Sequence, residues 1–510
     1  MLEKSWLKFK SGSDIRGIGV RSGKDDPVYL SDEIVERITC GFVEWIRKNR
    51  RDDADVTVAV GHDTRISSPR IKDRVVDALV KMGVNVIDCG YSSTPAMFMT
   101  TVNLNCTGAI EVTASHHPYD KNGIKFFTRL GGLSGSDIEE ILLLAQENQF
   151  IYAEKFGRLT SFDHMKIYAE NLRKMICDEI NATDYSRPLR DFKIIVDAGN
   201  GIGGFYANKV LAPLGADVRG SLFLNYDGMF PNHVPNPEDK KAMKAIREAV
   251  VKNEADFGII FDTDVDRAAC VDSDGTEICG NRLIALAAAI ALEKNEGGTI
   301  VTDSVTSDSL TEFIENSLDG KHISYKRGYR NIIDKQIELN HSSVNCPLAI
   351  ETSGHAAFRE NYYLDDGAYL VTKIIIKMAL LRKEDKFLLD LIDELKEPKE
   401  TLTMRFNITE SDYKECGNEL LEVLNASASS CEGWTVKESY EGFRVTVDKN
   451  NGNGWFLLRM SVHDPVMPLN IESNDFGGCL MICEKLYFLI KDYKGIDITP
   501  LINAIEKLKD

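Results

Sequence analysis

Three stretches of the chain repeat one local grammar: an apolar, β-rich run, a polar or glycine turn, then a helix-compatible segment. They are VTVAVGHDTRISSPRI from Val56, KIIVDAGNGIGGFYANKVL from Lys193 and GGTIVTDSVTSDSLTEFI from Gly297. A strand, a short turn and a helix make the βα unit of parallel sheets. The wide spacing predicts related α/β domains in series, because a solenoid repeats every 20–50 residues or so. A chain of 510 residues is also too long for one compact core. Beyond the charged, proline-bearing stretch from Lys396 through Pro398 to Glu400 the grammar changes. Thr403 to Ile408 reads as a strand and Ser411 to Leu424 as a helix. The strands WTVKESY, FRVTVD and WFLLRMS follow, and a final helix begins near Gly478. The expected fold class is α/β: three related mixed α/β domains, then a smaller α+β C-terminal domain with an antiparallel sheet. The expected boundaries are residues 1–160, 161–296, 297–396 and 397–510.

Charge narrows the partners. With 61 basic and 79 acidic residues the formal charge is 61 − 79 = −18. Such an anion gains nothing from counterion release on DNA or RNA, so nucleic acid is not expected as a partner. A local basic pocket can still bind phosphate. The eleven cysteines include no CxxC pair, which fits free thiols in a reducing compartment. MLEKSWLKFKSG lacks the apolar core of a signal peptide, and the longest apolar run, Leu283 to Leu292, is far short of the ~20 residues of a membrane span. A cytoplasmic protein without a membrane partner is expected.

Four segments can carry chemistry. In GAIEVTASHHPYDKNGIKFF, from Gly108, a strand to Thr113 and a second from Ile124 flank Asn122-Gly123, a hairpin signal. Ser115 and His116 then sit on a rigid connection as a nucleophile with a proton acceptor beside it, and Lys125 can offset negative charge. A polar hairpin tip with a solvated histidine pair accounts for the same residues. In GIIFDTDVDRAACVDSDG, from Gly258, Asp262, Asp264 and Asp266 end an apolar strand. Two carboxylates ~4 Å apart repel by about 4 kcal/mol at an effective dielectric near 20, so three converging ones splay, protonate or hold a cation. Hard oxygen ligands suit Mg²⁺ or Ca²⁺. The calcium-loop pattern fails, because Arg267 occupies its glycine position and Ser273 its glutamate position. A magnesium site completed by a phosphate oxygen is the better reading.

In LAIETSGHAAF, from Leu348, Glu351, Ser353 and His355 alternate, which in an extended chain puts them on one side, suited to a polyol; taken alone, the pattern is more readily an ordinary polar loop. In WFLLRMSVHDPVMPLNIES, from Trp455, Arg459 and Ser461 share a strand face, with His463 and Asp464 following, and an arginine beside a hydroxyl clamps phosphate. A surface arginine on a sheet is the plainer alternative. Two patterns mislead. GNGIGG, Gly199 to Gly204, satisfies G-x-G-x-x-G after a strand, but Asp217 falls before the next strand instead of at its end, so a tight βα turn is the better reading. GIGVRSGKD, from Gly17, is one residue too long for a phosphate loop and has Asp25 where Ser or Thr is required.

TASHHP with NGIKFF, DTDVDR, ETSGH and a terminal R-x-S loop occur in that order. Together with SGSDIRGIG, VGHDTRISS, VDAGNGIGG and DGMFPNHVPNPE, they resemble the α-D-phosphohexomutase superfamily in its phosphomannomutase/phosphoglucomutase branch, over essentially the whole chain. The resemblance implies four domains around a central cleft, each giving one loop. It implies Ser115 as the phosphorylated serine, which also takes part in the metal site, with Asp262, Asp264 and Asp266 as ligands of Mg²⁺. Arg16, His116 and Lys125 become the groups for charge stabilisation and proton transfer, and Arg267 lies beside metal and phosphate. Glu351 and Ser353 bind sugar hydroxyls with His355 near them, and Arg459, Ser461 and His463 bind phosphate. The implied activity is interconversion of hexose 1-phosphate and hexose 6-phosphate, of mannose or glucose, through a hexose 1,6-bisphosphate, by a monomer or homodimer. A hexose-1,6-bisphosphate synthase and a non-catalytic sugar-phosphate binder are the alternatives. Two departures stand out: His117 replaces the usual asparagine, and RMSVHDP replaces the usual R-P-S-G/N-T-E-P, so His463 and Asp464 stand for threonine and glutamate.

Overall fold

The structure is a computed structural model that describes residues 1–21, 23, 28–49, 55–428, 430–461 and 464–509. The chain divides into two compact units, Met1–Ile290 with Ser353–Leu391, and Ala291–Thr352 with Ile392–Asp510.

In the first unit, one sheet runs in the order Lys10–Ser11, Asp14–Ile18, Lys121–Thr128, Gly108–Val112, Thr57–His62, Asn85–Tyr91, Leu159–Ser161. Thr57–His62 lies parallel between Asn85–Tyr91 and Gly108–Val112, and Lys121–Thr128 is antiparallel to Gly108–Val112 and to Asp14–Ile18. The helix Asp32–Asn49 forms because Val35, Ile38, Phe42, Trp45 and Ile46 recur at helical spacing and are buried. Asp32 and Glu33 open it and Arg47 and Lys48 close it, complementing its dipole. The helix Gly135–Glu147 starts with a capping box: the Ser134 hydroxyl accepts from the Asp137 N–H, and the Asp137 carboxylate accepts from the Ser134 N–H.

A second sheet, in the order Glu277–Ile278, Ala268–Asp272, Phe257–Phe261, Ile194–Asp197, pairs its last two strands in parallel and the others antiparallel. Its strand Phe257–Phe261 is buried throughout, as an apolar run without alternation requires. The first unit also contains the hairpin of Ala356–Phe358 with Leu364–Asp365, and the helix Gly367–Arg382, apolar on nearly all sides and buried to match.

In the second unit, Lys321–Tyr325, Thr299–Asp303 and Leu348–Ile350 run parallel. A six-stranded sheet follows, in the order Trp434–Lys437, Phe443–Val447, Gly454–Leu458, Val466–Ser473, Glu400–Ile408, Ile496–Asp497, antiparallel throughout. Its core joins Phe406, Val445, Phe456, Leu469 and Ile471 to Leu420, Leu424, Ile482 and Leu486 from the helices Tyr413–Ala428 and Gly478–Ile490. Across the sheet, Arg444 grips the turn after Thr299–Asp303: it donates to the carbonyls of Ser304 and Thr306 and to Asp308 (2.7 Å), while stacking on Trp455.

The fold class expected from the sequence is the one observed, with local differences. Asn122-Gly123 is not the hairpin turn. It lies inside Lys121–Thr128, where a Cβ on Gly123 would meet the Ile15 and Thr113 carbonyls at 2.2 and 2.7 Å. The glycine is there so that three strands can approach closely. A further helix, Thr499–Lys509, follows Gly478–Ile490.

Candidate active site

Ser115 sits in the connection between the buried strand Gly108–Val112 and Lys121–Thr128 and has φ 48°, a left-handed backbone that costs a non-glycine residue energy and needs support. The support is local. The Thr113 hydroxyl accepts the Ser115 N–H (2.9 Å) and donates to Asp63 (2.8 Å). Arg65, wholly buried, donates to the carbonyls of Ser115, His117 (2.6 Å), Pro118 (2.6 Å) and Lys121 (3.0 Å), with Nε 3.1 Å from Asp63. One guanidinium thus holds the whole loop from inside. Arg16 comes from the strand Asp14–Ile18, donating to the Thr113 carbonyl and to Asp14 (2.9 Å). The His116 Nδ1 stands 3.3 Å from Ser115 Oγ. Burial, then Arg267, holds the His116 imidazole far below its usual range; burial, then Arg16, brings His117 down to about 3. Both rings are neutral at pH 7.

The aspartates follow the buried strand Phe257–Phe261 in a turn whose Val265 has φ 67°. The Ser115 hydroxyl donates to Asp262 (2.7 Å) and accepts from Arg267 Nη2 (3.1 Å), and Arg267 Nε donates to Asp262 (3.1 Å). Lys125, directly across the ladder from Glu111, extends its ammonium to Asp264 (2.9 Å) and Asp266 (2.5 Å). Burial and the charges of Asp266 and Asp264 push the Asp262 carboxyl well above its usual range. Burial pushes Asp266 the same way, but Lys125, His355 and Arg267 outweigh it and hold Asp266 well below. One carboxylate oxygen from each of the three aspartates lies within 4.8 Å of the others, and Asp264 Oδ1 and Asp266 Oδ1 are buried with no hydrogen-bond partner among the described residues, Asp266 Oδ1 having only the longer ion-pair contacts of His355 (3.6 Å) and Arg267 (3.9 Å). Orphaned oxygens in an all-carboxylate set are what a hard divalent cation satisfies, so the residues fit a metal ion.

His355 reaches the same loop, with Nδ1 at 2.9 Å from the Ser353 hydroxyl and Nε2 at 3.6 Å from Asp266. Asp365, pushed up to about 7 by burial and then by Asp266, faces His355 and Asp266. The extended chain that would carry Glu351, Ser353 and His355 is not formed: the strand ends at Ile350 and Gly354 has φ 95°.

In the second unit the Glu351 carboxylate accepts the Gly328 N–H (2.6 Å), and Glu441 accepts the Arg327 N–H (2.9 Å) and the Ser304 hydroxyl. The strand stops at Leu458, and Arg459 and Ser461 lie just beyond it, with their N–H groups bonded to the Pro468 and Val466 carbonyls in the register of the pair Gly454–Leu458 with Val466–Ser473. Arg459 is 8 % exposed, and its Nε has no partner among the described residues. His463 lies outside the described residues.

Sequence reasoning missed Asp63, Arg65, Thr94 and Thr113, whose work is to hold the serine and aspartate loops. For Asp63 and Arg65 the signal available was the density of hydroxyls and charges in VGHDTRISS, unusual for residues that end up buried. GNGIGG is a packing device: a Cβ on Gly201 would meet Thr263 backbone at 2.6 Å and one on Gly204 the Leu224 carbonyl at 2.4 Å. The space above the glycines is filled by protein, including the aspartate loop.

A buried serine between a carboxylate and a guanidinium, beside a cation-seeking acid cluster and a lysine, defines a centre suited to phosphoryl transfer on a side-chain hydroxyl. Three family models match in series: "Phosphoglucomutase/phosphomannomutase, alpha/beta/alpha domain I" over residues 9–151, domain II over 166–275 and domain III over 279–398. The chain belongs to the phosphoglucomutase/phosphomannomutase family. It is 30% identical to the phosphoglucomutase of Neisseria meningitidis serogroup B over 465 residues, covering 90% of this chain and 92% of that one. It is also 30% identical to the phosphomannomutase/phosphoglucomutase of Pseudomonas putida over 418 residues, 82% of this chain and 83% of that one. Among solved structures it resembles the phosphoglucomutase/phosphomannomutase family protein of Burkholderia thailandensis, with TM-score 0.78 and 26% identity over 97% of this chain and 98% of that chain.

Proposed function

We propose that the chain is a magnesium-dependent phosphohexomutase that interconverts hexose 1-phosphate and hexose 6-phosphate of glucose or mannose through a phosphoserine at Ser115. The observation that carries the reading is the contact of Ser115 Oγ with Asp262 at 2.7 Å and Arg267 at 3.1 Å, next to Asp264 and Asp266. Family membership supports the activity, and the named relatives are phosphoglucomutases and phosphomannomutase/phosphoglucomutases.

Asp262, Asp264 and Asp266 would hold Mg²⁺, which when bound supplies charge neutralisation for the phosphoryl oxygens. The roles of the chain's own groups follow from chemistry. Phosphorylated Ser115 gives its phosphoryl group to the O6 hydroxyl of a hexose 1-phosphate; the P–Oγ bond breaks as the P–O6 bond forms, and the hydroxyl proton leaves to a nearby base. Neutral His116, 3.3 Å from Ser115 Oγ, is our assignment for proton transfer there. The bisphosphate exchanges ends, and Ser115 takes the phosphoryl group back from O1. Lys125, Arg267 and Arg16 spread positive charge over the transferring oxygens, where charge grows in the transition state. Glu351 and Ser353, with His355, are assigned to sugar hydroxyls, and Arg459 with Ser461 and His463 to phosphate. The buried Nε of Arg459, without a partner among the described residues, supports that last assignment, since a guanidinium edge left open suits a phosphate oxygen.

A coupled assay of the purified chain with glucose 1-phosphate, mannose 1-phosphate and N-acetylglucosamine phosphates, with and without Mg²⁺, tests the reading. Conversion of the first two that depends on Mg²⁺ is expected. Accumulation of bisphosphate without product would assign the synthase instead, and no turnover of any of them would overturn both.

A further inference from the structure

We propose that Thr94 is a positioning residue for the cation site: its hydroxyl selects which oxygen of Asp264 is left for the metal. Thr94 is 1 % exposed and is the first residue of the helix Thr94–Asn103, whose N-cap Ser93 accepts the Ala96 N–H. It holds Asp264 twice. Its N–H, one of the donors that a helix start leaves without an intrahelical partner, reaches the Asp264 carbonyl at 2.9 Å, and its Oγ1 donates to Asp264 Oδ2 at 2.5 Å. Lys125 donates to the same Oδ2 at 2.9 Å. Two donors on one oxygen fix the carboxylate's rotation and leave Oδ1 buried, with no partner among the described residues and beside Asp262 and Asp266. Lys125 alone would not fix it, because its ammonium is shared with Asp266 on a flexible stem. Thr94 belongs to the stretch matched by the first family domain and Asp264 to that matched by the second, so one hydroxyl ties the metal loop to the serine loop's own domain.

The inference rests on the reading of the three aspartates as a cation site, and the test separates the two. Mn²⁺ binding to the full-length, dephosphorylated chain is measured by calorimetry and by loss of the free-ion paramagnetic signal. Three chains are compared: wild type, Thr94→Val, which keeps shape and N–H but loses the hydroxyl, and Thr94→Ser, which restores the hydroxyl. Metal-free melting is recorded for each. Outer partners of metal ligands typically change affinity by 10- to 100-fold, so Thr94→Val should weaken Mn²⁺ binding at least about tenfold and Thr94→Ser by no more than about twofold. A role in structure alone would move the metal-free melting temperature and leave the dissociation constant below melting unchanged. Thr94→Val binding Mn²⁺ as tightly as wild type, or Thr94→Ser as weak as Thr94→Val, overturns the proposal while leaving the site. Wild type that binds no Mn²⁺ overturns the site and the proposal together.

Discussion

Replacing Lys125 by methionine should make the protein a better metal binder and a worse catalyst. The ammonium lies 2.9 Å from Asp264 and 2.5 Å from Asp266, and all three side chains are buried. At an effective dielectric near 20 each contact has a gross attraction of about 6 kcal/mol. Desolvation offsets most of it, and removing one partner of a buried pair costs about 3–5 kcal/mol, because the other charges stay behind uncompensated. In Lys125→Met that cost falls on the metal-free chain. A bound divalent cation relieves it and no longer meets a positive neighbour, so affinity should rise by tenfold or more, about 1.4 kcal/mol. In the role proposed for Lys125 the same change also removes positive charge from the transferring phosphoryl oxygens, where loss of one preorganised donor typically lowers kcat by about 100- to 1,000-fold. Titration calorimetry with Mg²⁺ reads the first effect, and single-turnover phosphoryl transfer at saturating Mg²⁺ reads the second. Weaker metal binding in the variant, or an unchanged transfer rate, would refute the charge argument.

Other perturbations act on other links. Arg65→Met removes a guanidinium that serves four loop carbonyls, at about 1.5–3 kcal/mol for each charged hydrogen bond. Amide exchange at His117 and Lys121 should then accelerate by 100-fold or more, and unchanged protection would contradict the scaffold role. Arg459→Ala should raise KM for hexose phosphates by more than about tenfold, and a KM equal to wild type would remove it from phosphate binding. In an unfolded chain the Glu472 carboxyl has lost its proton by pH 7, but in the fold burial pushes it up to about 7, against the pull of the Trp455 N–H, which donates to it at 2.9 Å. The folded form keeps its proton while the unfolded one loses it, so Glu472 favours folding below about pH 4.5 and this contribution fades as pH rises to about 7, at up to ~1.4 kcal/mol per pH unit. Chemical unfolding of Glu472→Gln between pH 4.5 and 7 should show a flatter pH dependence than wild type; an identical slope would place the protonation elsewhere.

The βα grammar was legible because Thr57–His62, Ile194–Asp197 and Thr299–Asp303 are buried parallel strands, whose apolar runs and polar turns are local signals. The grouping of Ser115, Lys125, Arg267 and the three aspartates was legible from the resemblance, since residues 115 and 262 share no local pattern. What sequence could not give was the packing that shapes the loops. The DTDVDR turn reads as acids in a row, yet its geometry depends on Thr94, 170 residues away, and on the backbone space left by Gly201. Asn122-Gly123 carried a true turn propensity that lost to tertiary context, because Gly123 lets Asp14–Ile18 and the Thr113 carbonyl close in.

The claim that Ser115 carries the moving phosphoryl group is tested most directly by exposing the full chain to hexose 1,6-bisphosphate labelled in its phosphates, with Mg²⁺, and mapping the label by peptide mass analysis. Label is expected on Ser115 alone, discharged by added hexose 1-phosphate and absent from Ser115→Ala. Label on any other residue, or continued turnover by Ser115→Ala, would contradict it.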